Sequence, residues 1–228
     1  MKPIFFLLLA LGLWMPVALA GQTTGAKGQY TPHYYERVKL FDAERPIEEH
    51  DVVMLGNSLT EGGGDWGQRL EHPAVRNRGI SGDVAMGVYD RLHQILPGRP
   101  KQLFLLIGIN DVSHDLSTDS ILSLIETVVK RIRLESPRTR VYLQSLLPID
   151  ESFGRYRRLN GKSAMIPSIN RGLKALARRQ KVKYIHLFPL FAEPGTGVLR
   201  KELTHDGLHL NEAGYRIWSD CLKRYVKR

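Results

Sequence analysis

The sequence predicts an α/β domain built on a parallel sheet that helices cover on both faces. Short apolar runs alternate with longer amphipathic segments, as in consecutive strand–helix–strand units. The run over residues 102–107 shows no polar alternation, which is typical of a parallel strand buried on both faces. With 43% hydrophobic and 25% charged residues in 228, the chain has ordinary globular proportions and enough apolar residues for one core.

Five short segments are predicted as strands because apolar side chains stand between turn residues. They are residues 51–55, 74–77, 102–107, 140–147 and 182–187. Parallel α/β sheets bind ligands beyond the carboxyl ends of their strands. Ser58, Gly82 and Asn110 each come just after a predicted strand, so we expect them at one edge of the sheet.

The predicted helices carry apolar residues three or four positions apart, which forms one face of an α-helix. They cover residues 32–44, the segment from the turn at Gly82 to about Leu96, and residues 118–135, 167–180 and 211–225, and a helix-like segment runs from Ser58 to Leu70. Pro97 and Pro137 follow two of these helices, and proline cannot continue a helix. Residues 148–166 form the longest irregular stretch.

The first twenty residues are predicted to be a cleavable secretory signal peptide. Lys2 precedes a short apolar run over residues 4–13, and an Ala-Leu-Ala ending places the cleavage after Ala20. An uncleaved anchor is the alternative, but Pro16 interrupts the apolar region and the run is short for a membrane span. The expected organisation is a signal peptide at 1–20, a leader and helix at 21–49 and the main domain at 50–228, in a secreted or periplasmic protein.

The chain is strongly basic, with 33 Lys and Arg against 23 Asp and Glu and a formal charge of +10. Such a charge attracts nucleic acid, an anionic envelope surface or acidic glycans. The basic residues are scattered and accompany no nucleic-acid-binding motif, so we predict no nucleic-acid partner and a solvated basic surface. Cys221 is the only cysteine, which excludes an intramolecular disulfide and a cysteine-based metal site. We expect no cofactor, no metal and no stable membrane insertion.

A serine, a histidine and an aspartate form the candidate catalytic set. A serine hydroxyl needs an adjacent base to act as a nucleophile. Asp206 and His209 lie three residues apart before the last helix, where the carboxylate can orient the imidazole towards Ser58. Taken singly, Ser58 could be a helix cap, Asp206 a turn cap and His209 a surface residue. His205 and His209 could form a metal pair, but Gly207 between them and the lack of a third ligand disfavour it.

Gly82 and Asn110 are the candidate oxyanion-hole residues. Acyl transfer needs hydrogen-bond donors preset for the oxygen of the tetrahedral intermediate. Gly82 can offer an unobstructed backbone N–H, Asn110 a side-chain amide, and Ser58 its own backbone N–H. Each could instead serve only its turn, but all these sites occur where the fold places ligands.

Four sequence blocks together resemble the SGNH hydrolases, also called GDSL esterases and lipases. They are Gly56-Asn57-Ser58, Gly79-Ile80-Ser81-Gly82-Asp83, Gly108-Ile109-Asn110-Asp111 and Asp206-Gly207-Leu208-His209. The resemblance extends over about residues 50–226 and is greatest for the platelet-activating-factor acetylhydrolase-like and lysophospholipase L1-like branch. It implies a three-layer α/β/α sandwich with a five-stranded, flavodoxin-like parallel sheet.

The same resemblance implies a role for each candidate residue. Ser58 would be the nucleophile, His209 the base and Asp206 its orienting partner. Gly82, Asn110 and the Ser58 amide would form the oxyanion hole. Asn57 stands where the family name has Asp, and we expect this change to affect the turn geometry more than the chemistry.

The expected activity is that of a secreted serine ester hydrolase acting on a small-molecule or glycan ester. A compact domain without a long apolar lid favours a small acyl group, such as acetyl on a carbohydrate. The alternatives are a lysophospholipase or thioesterase for longer acyl chains, and a non-catalytic glycan- or envelope-binding module. Arg155, Arg157 and Arg158 follow the fourth strand, so this loop is predicted to meet an anionic substrate, with a solvated basic loop as the alternative.

Overall fold

The computed structural model describes residues 29–226. The predicted signal peptide and the first part of the predicted leader lie outside these residues. Within them the strands are β1 (Val52–Gly56), β2 (Val75–Gly79), β3 (Gln102–Leu106), β4 (Arg140–Gln144) and β5 (Lys183–Ile185). They form one sheet in the order β2-β1-β3-β4-β5, and every pair is parallel. The predicted five-stranded parallel sheet is therefore confirmed.

Helices connect the strands and cover the sheet. They are α1 (Pro32–Ala43), α2 (Ser58–Glu61), α3 (Trp66–Leu70), α4 (Ala85–Asp90), α5 (Ile109–Ser113), α6 (Thr118–Glu135), α7 (Met165–Arg179), α8 (Phe188–Phe191) and α9 (Glu212–Val226). The longest, α6, is capped by Ser117, whose side chain accepts a hydrogen bond from the Ser120 N–H. Among residues 29–226, no helix combines the length and apolar character needed to cross a membrane.

Each face of the sheet packs against its own helices, because successive strand residues point to opposite faces. On one face, Val53 and Leu103 belong to a buried cluster with α4, α6 and α7. On the other, Val52 and Phe104 belong to a cluster with α3 and α9. Since both faces are covered, the central strands are apolar at nearly every position.

Two helices of the structure differ from their predicted extent. The helix expected to reach Leu96 ends at Asp90 and continues as two 3₁₀ turns. It ends there because Arg91 is fully buried and its guanidinium donates to the backbone carbonyls of Arg78 in β2 and Gly56 in β1. These bonds fix the residue against the ends of the two strands. The helix-like segment after Ser58 is split into α2 and α3 by a run of three glycines.

The structure also adds two short helices, α5 and α8, and the strands β4 and β5 are shorter than predicted. The short helix α5 begins directly after Gly108, whose φ of 131° is accessible mainly to glycine. Strand β4 ends at Gln144 rather than at residue 147. Beyond it, the Leu146 N–H bonds to the Asn170 side chain at 2.8 Å, so a helix side chain replaces the strand ladder.

Candidate active site

Ser58 lies at the carboxyl end of β1, where the chain turns directly into α2. Asn57 caps this helix, and its side-chain oxygen accepts a hydrogen bond from the Leu59 N–H at 3.1 Å. Asn and Asp are equally good residues at a helix N-cap, so Asn57 maintains the turn without an acidic side chain. The turn is tight, because a Cβ on Gly56 would collide with Thr60.

The loop before α9 brings His209 and Asp206 to this serine. His209 Nε2 lies 2.9 Å from Ser58 Oγ, although 151 residues separate the two in sequence. Its other ring nitrogen, Nδ1, lies 2.9 Å from Asp206 Oδ2. The three side chains therefore form a continuous hydrogen-bonded chain from carboxylate to hydroxyl, which is the arrangement that activates a serine.

The loop itself is built to hold this carboxylate. Asp206 Oδ1 accepts hydrogen bonds from the N–H groups of Leu208 at 3.0 Å and His209 at 2.7 Å. Gly207 has a φ of 85°, and a Cβ there would collide with the Asp150 carbonyl. The conformation that aims Asp206 at His209 thus depends on a glycine between them.

Gly82 and Asn110 border the same cavity as Ser58 and His209, with a volume of about 550 Å³. Gly82 has a φ of 80°, a backbone conformation that other residues rarely adopt. The Asn110 side-chain nitrogen donates to the Asp83 carbonyl at 2.8 Å, and its second N–H is available to the cavity. The backbone N–H groups of Ser58 and Gly82 donate no hydrogen bond to any of residues 29–226.

The model of the GDSL-like lipase/acylhydrolase family matches residues 54–217, which include all four sequence blocks. The chain belongs to this family. The resemblance predicted from the sequence is therefore confirmed, and the family is one of lipases and acylhydrolases, which are carboxylic ester hydrolases.

Two solved structures share the fold of this GDSL-like family member, and one further protein is similar to it in sequence. A Streptococcus pneumonia protein named after platelet activating factor is 27% identical, with a TM-score of 0.73 over 85% of this chain and 90% of that one. An acetyl xylan esterase, AlAXEase, is 21% identical, with a TM-score of 0.64 over 77% and 99% of the two chains. The N-acylneuraminate cytidylyltransferase of Escherichia coli O18:K1:H7 is 26% identical over 183 residues, and the match spans 78% of this chain but only 40% of that relative.

Tyr156 is a site residue that the sequence analysis missed. Its hydroxyl donates to Asp206 Oδ2 at 2.7 Å and lies 2.8 Å from His209 Nδ1. Its ring meets the imidazole edge-on, with centroids 5.5 Å apart and an interplanar angle of 70°. Tyr156 stands in the irregular stretch 148–166, and the only sequence signal for it is that this stretch follows β4 at the ligand-binding edge.

Asp206 is kept ionised in this setting. Burial alone would raise the pKa of its carboxyl, but hydrogen bonds from Tyr156, from the His209 ring and from two backbone N–H groups lower it well below the usual value. Burial and the Asp206 carboxylate raise the pKa of Tyr156 to about 12. The phenol therefore stays protonated and acts as a donor at neutral pH.

The arginine loop, Arg155–Arg158, forms one side of the cavity, and each of its three arginines lines it. Among the described residues, none of these guanidinium groups lies within ion-pair distance of a carboxylate. Lys162, further along the same stretch, does have partners, because it pairs with Asp115 at 2.6 Å and bonds to a backbone carbonyl of α5 at 3.0 Å.

Asp111 links the helix that carries Asn110, α5, to the start of α4, which follows Gly82. Its carboxylate, 2% exposed, accepts a hydrogen bond from the Ala85 N–H at 3.2 Å, and so ties α5 to the start of α4. The neighbouring Asp83 side chain pairs with buried Arg91 at 2.8 Å. Burial raises the pKa of Asp111 to about 6, against the lowering effect of the Ala85 hydrogen bond, and the charge of Asp83 adds to the rise.

The structure does not bring His205 and His209 together as a ligand pair. The His205 backbone N–H bonds to the His209 carbonyl, while the His209 ring is engaged with Ser58 and Asp206. In residues 29–226, no group of three or more His, Cys, Asp or Glu side chains is placed to hold a metal ion.

Proposed function

We propose that Ser58, His209 and Asp206 are the catalytic triad of a serine esterase that removes a small acyl group, such as acetyl, from an O-acylated anionic carbohydrate. The observation that carries the catalytic part is the continuous chain Asp206–His209–Ser58, with both contacts at 2.9 Å. Membership of an acylhydrolase family supports the reaction class.

Catalysis proceeds through an acyl-enzyme. Ser58 Oγ attacks the acyl carbonyl carbon while its proton passes to His209 Nε2. The resulting oxyanion accepts hydrogen bonds from the Ser58 and Gly82 backbone N–H groups and from the Asn110 side chain. The bond from carbon to the alcohol oxygen then breaks, and His209 returns the proton to that oxygen. Water attacks the acyl-enzyme by the same proton transfers and frees the acid.

The anionic character of the substrate is inferred from the arginine loop. Three guanidinium groups that line the catalytic cavity without a carboxylate partner among the described residues can bind a carboxylate or phosphate of the substrate. Two relatives have names that concern sugars, an acetyl xylan esterase and an N-acylneuraminate cytidylyltransferase, and an N-acylneuraminate is a carboxylate sugar. These names support an acetylated acidic sugar as the substrate class.

The test of the reaction is hydrolysis of p-nitrophenyl esters, from acetate to dodecanoate, by residues 21–228 and by the Ser58→Ala variant. We expect serine-dependent turnover that is fastest on acetate, and covalent labelling of Ser58 by a fluorophosphonate. Labelling that survives in the Ser58→Ala variant would contradict the proposed nucleophile.

A longer-chain lysophospholipase or thioesterase is the second candidate. The cavity volume of about 550 Å³ exceeds what an acetyl group fills, and one relative is named after platelet activating factor, a phospholipid. The same ester series decides between them, because a maximum at long chains would replace the acetylesterase by this alternative.

The proposed anion site is tested with paired substrates. Arg157→Glu/Arg158→Glu should raise KM about tenfold for an O-acetylated acidic sugar and leave KM for its neutral counterpart unchanged, because exposed charge pairs contribute modestly and reversal adds repulsion. Arg171→Glu/Lys174→Glu, on the exposed side of α7 outside the cavity lining, is the control with the same change in charge. If the double variant keeps the wild-type KM for the acidic sugar as well as for the neutral one, the arginine loop does not bind the substrate and is only solvated.

We propose that the protein is exported to the periplasm or beyond. The support is the predicted signal peptide, which lies outside the described residues. N-terminal sequencing of the protein from a secreting host should begin at Gly21, whereas retention of Met1 would contradict cleavage.

A further inference from the structure

We infer that Tyr156 is a positioning residue of the active site: its hydroxyl holds Asp206 and His209 in the one arrangement that leaves His209 Nε2 free for Ser58. The inference rests on the proposed triad and adds a fourth side chain to it. It comes from three contacts among three side chains and from the place of Tyr156 on the arginine loop.

The hydroxyl is a bridge between the other two groups. A phenol has a single O–H, and this one donates to Asp206 Oδ2 at 2.7 Å, since an ionised carboxylate can only accept. The phenol oxygen therefore presents a lone pair to His209 Nδ1, 2.8 Å away. Asp206 Oδ2 is also an acceptor for that nitrogen, at 2.9 Å.

This arrangement selects one tautomer of the histidine. Two acceptors face Nδ1, so the ring proton of neutral His209 is held there and not on Nε2. Nε2 then has a free lone pair directed at Ser58 Oγ, 2.9 Å away, as a general base requires. Backbone N–H groups already hold the carboxylate, but Asp206 alone would orient the imidazole through a single hydrogen bond at Nδ1. The Tyr156 hydroxyl adds a second acceptor at this nitrogen and links the ring and the carboxylate to each other.

The ring of Tyr156 supports the same orientation. It packs edge-on against the imidazole, so the histidine is held by a surface contact as well as by its nitrogen atoms. A tyrosine with a purely structural role bonds differently in this protein: the Tyr184 hydroxyl donates to the Asn170 carbonyl, at 3.2 Å, away from the site. The Tyr156 hydroxyl, in contrast, has two residues of the proposed triad within 2.8 Å.

The loop that bears Tyr156 is fixed at both sides. The Glu151 carboxylate accepts the Ser163 N–H at 2.8 Å and thereby closes the base of the loop. Lys162 ties it to α5, which carries Asn110. Tyr156 is therefore held against the triad by a segment whose arginines line the substrate cavity, and the same loop serves both binding and base orientation.

The test compares Tyr156→Phe with the matched control Tyr184→Phe. Both lose one phenol hydroxyl and retain the ring. For Tyr156→Phe we expect kcat on p-nitrophenyl acetate and the rate of fluorophosphonate labelling to fall together by about tenfold to a hundredfold, the range for a lost hydrogen bond to a charged group. KM and the melting temperature should remain close to the wild-type values, and the control should keep the wild-type kcat and labelling rate.

A double-mutant cycle separates positioning from packing. If Tyr156 acts through Asp206, Asp206→Asn combined with Tyr156→Phe should be no slower than Asp206→Asn alone. Fully multiplicative losses would overturn the inference, as would a wild-type labelling rate in Tyr156→Phe or a change confined to KM. Wild-type protein that fails to label at Ser58 would instead refute the proposed function, so the two failures are distinguishable.

Discussion

Neutralising Asp111 should change the stability of the protein in a pH-dependent way. Compared with the wild type, the neutral variant should gain stability as the pH rises. This carboxyl is buried under the proposed oxyanion hole and makes no salt bridge with the described residues, and it accepts backbone hydrogen bonds from Ala85 and from its own N–H. Burial raises its pKa to about 6. Because the unfolded chain has a value near 3.8, folding opposes ionisation of this group.

The size of the effect follows from the difference between the two pKa values. About two pKa units at about 1.4 kcal/mol each gives a cost of about 3 kcal/mol in the free energy of unfolding. A raised acid pKa means that the native state binds the extra proton. The cost is therefore absent below the unfolded pKa, develops between about pH 4 and pH 6, and is complete above the folded pKa.

Asp111→Asn removes the ionisation and keeps the shape of the side chain. Its amide oxygen can still accept from Ala85, but the new NH₂ group loses water without an evident acceptor, which costs about 1–2 kcal/mol at every pH. We expect the variant to be slightly less stable than the wild type near pH 4 and more stable at pH 8. The difference between variant and wild type should change by about 2 kcal/mol across this range.

The assay is urea unfolding of both proteins at pH values from 4 to 8, followed by circular dichroism and tryptophan fluorescence. Glu126→Gln, at a partly buried, ion-paired carboxylate on α6 whose pKa is lowered, should give the opposite slope, because its stabilisation is lost as the pH falls. If the stability difference between Asp111→Asn and the wild type is constant with pH, burial does not raise the pKa of Asp111, and the reasoning is refuted.

Three further substitutions test the support of the site. Asn110→Ala should lower kcat on p-nitrophenyl acetate by about 10²–10³ while the fold is retained, and an unchanged kcat would remove this amide from the oxyanion hole. Arg91→Met leaves the Asp83 carboxylate buried without its partner and should lower the free energy of unfolding by about 3–5 kcal/mol in urea, whereas a loss below about 1 kcal/mol would mean that the pair is already solvated. Gly207→Ala requires a left-handed backbone at a non-glycine residue and collides with the Asp150 carbonyl, so both the melting temperature and kcat should fall, and a normal kcat would show that the loop can shift without moving the triad.

Features with a local physical cause were predictable from the sequence. The strands could be located because a parallel strand covered on both faces needs an uninterrupted apolar run, and the confirmed sheet contains all five predicted segments. The long helix α6 matches its prediction at both ends, since Ser117 caps it and Pro137 follows it. Ser58, Gly82 and Asn110 could be assigned to one edge of the sheet because the carboxyl ends of parallel strands coincide.

Features that depend on distant contacts were not predictable in this way. The apolar periodicity after Gly82 continues to Leu96, but the helix ends at Asp90 because Arg91 bonds to strand carbonyls far from it in sequence. Tyr156 stands in a stretch without periodicity, and nothing in its neighbourhood indicates that its hydroxyl meets Asp206, 50 residues further along the chain.

The sequence by itself determined the class of the fold, the residue types available for acyl transfer and the edge of the sheet where they lie. These follow from side-chain periodicity and turn chemistry, which act over a few residues. Only the tertiary structure decided the 2.9 Å contact between Ser58 and His209, the third contact from Tyr156 and the position of the arginine loop in the cavity wall. Such contacts join segments up to 151 residues apart, and neither periodicity nor turn chemistry, which act over a few residues, can specify them.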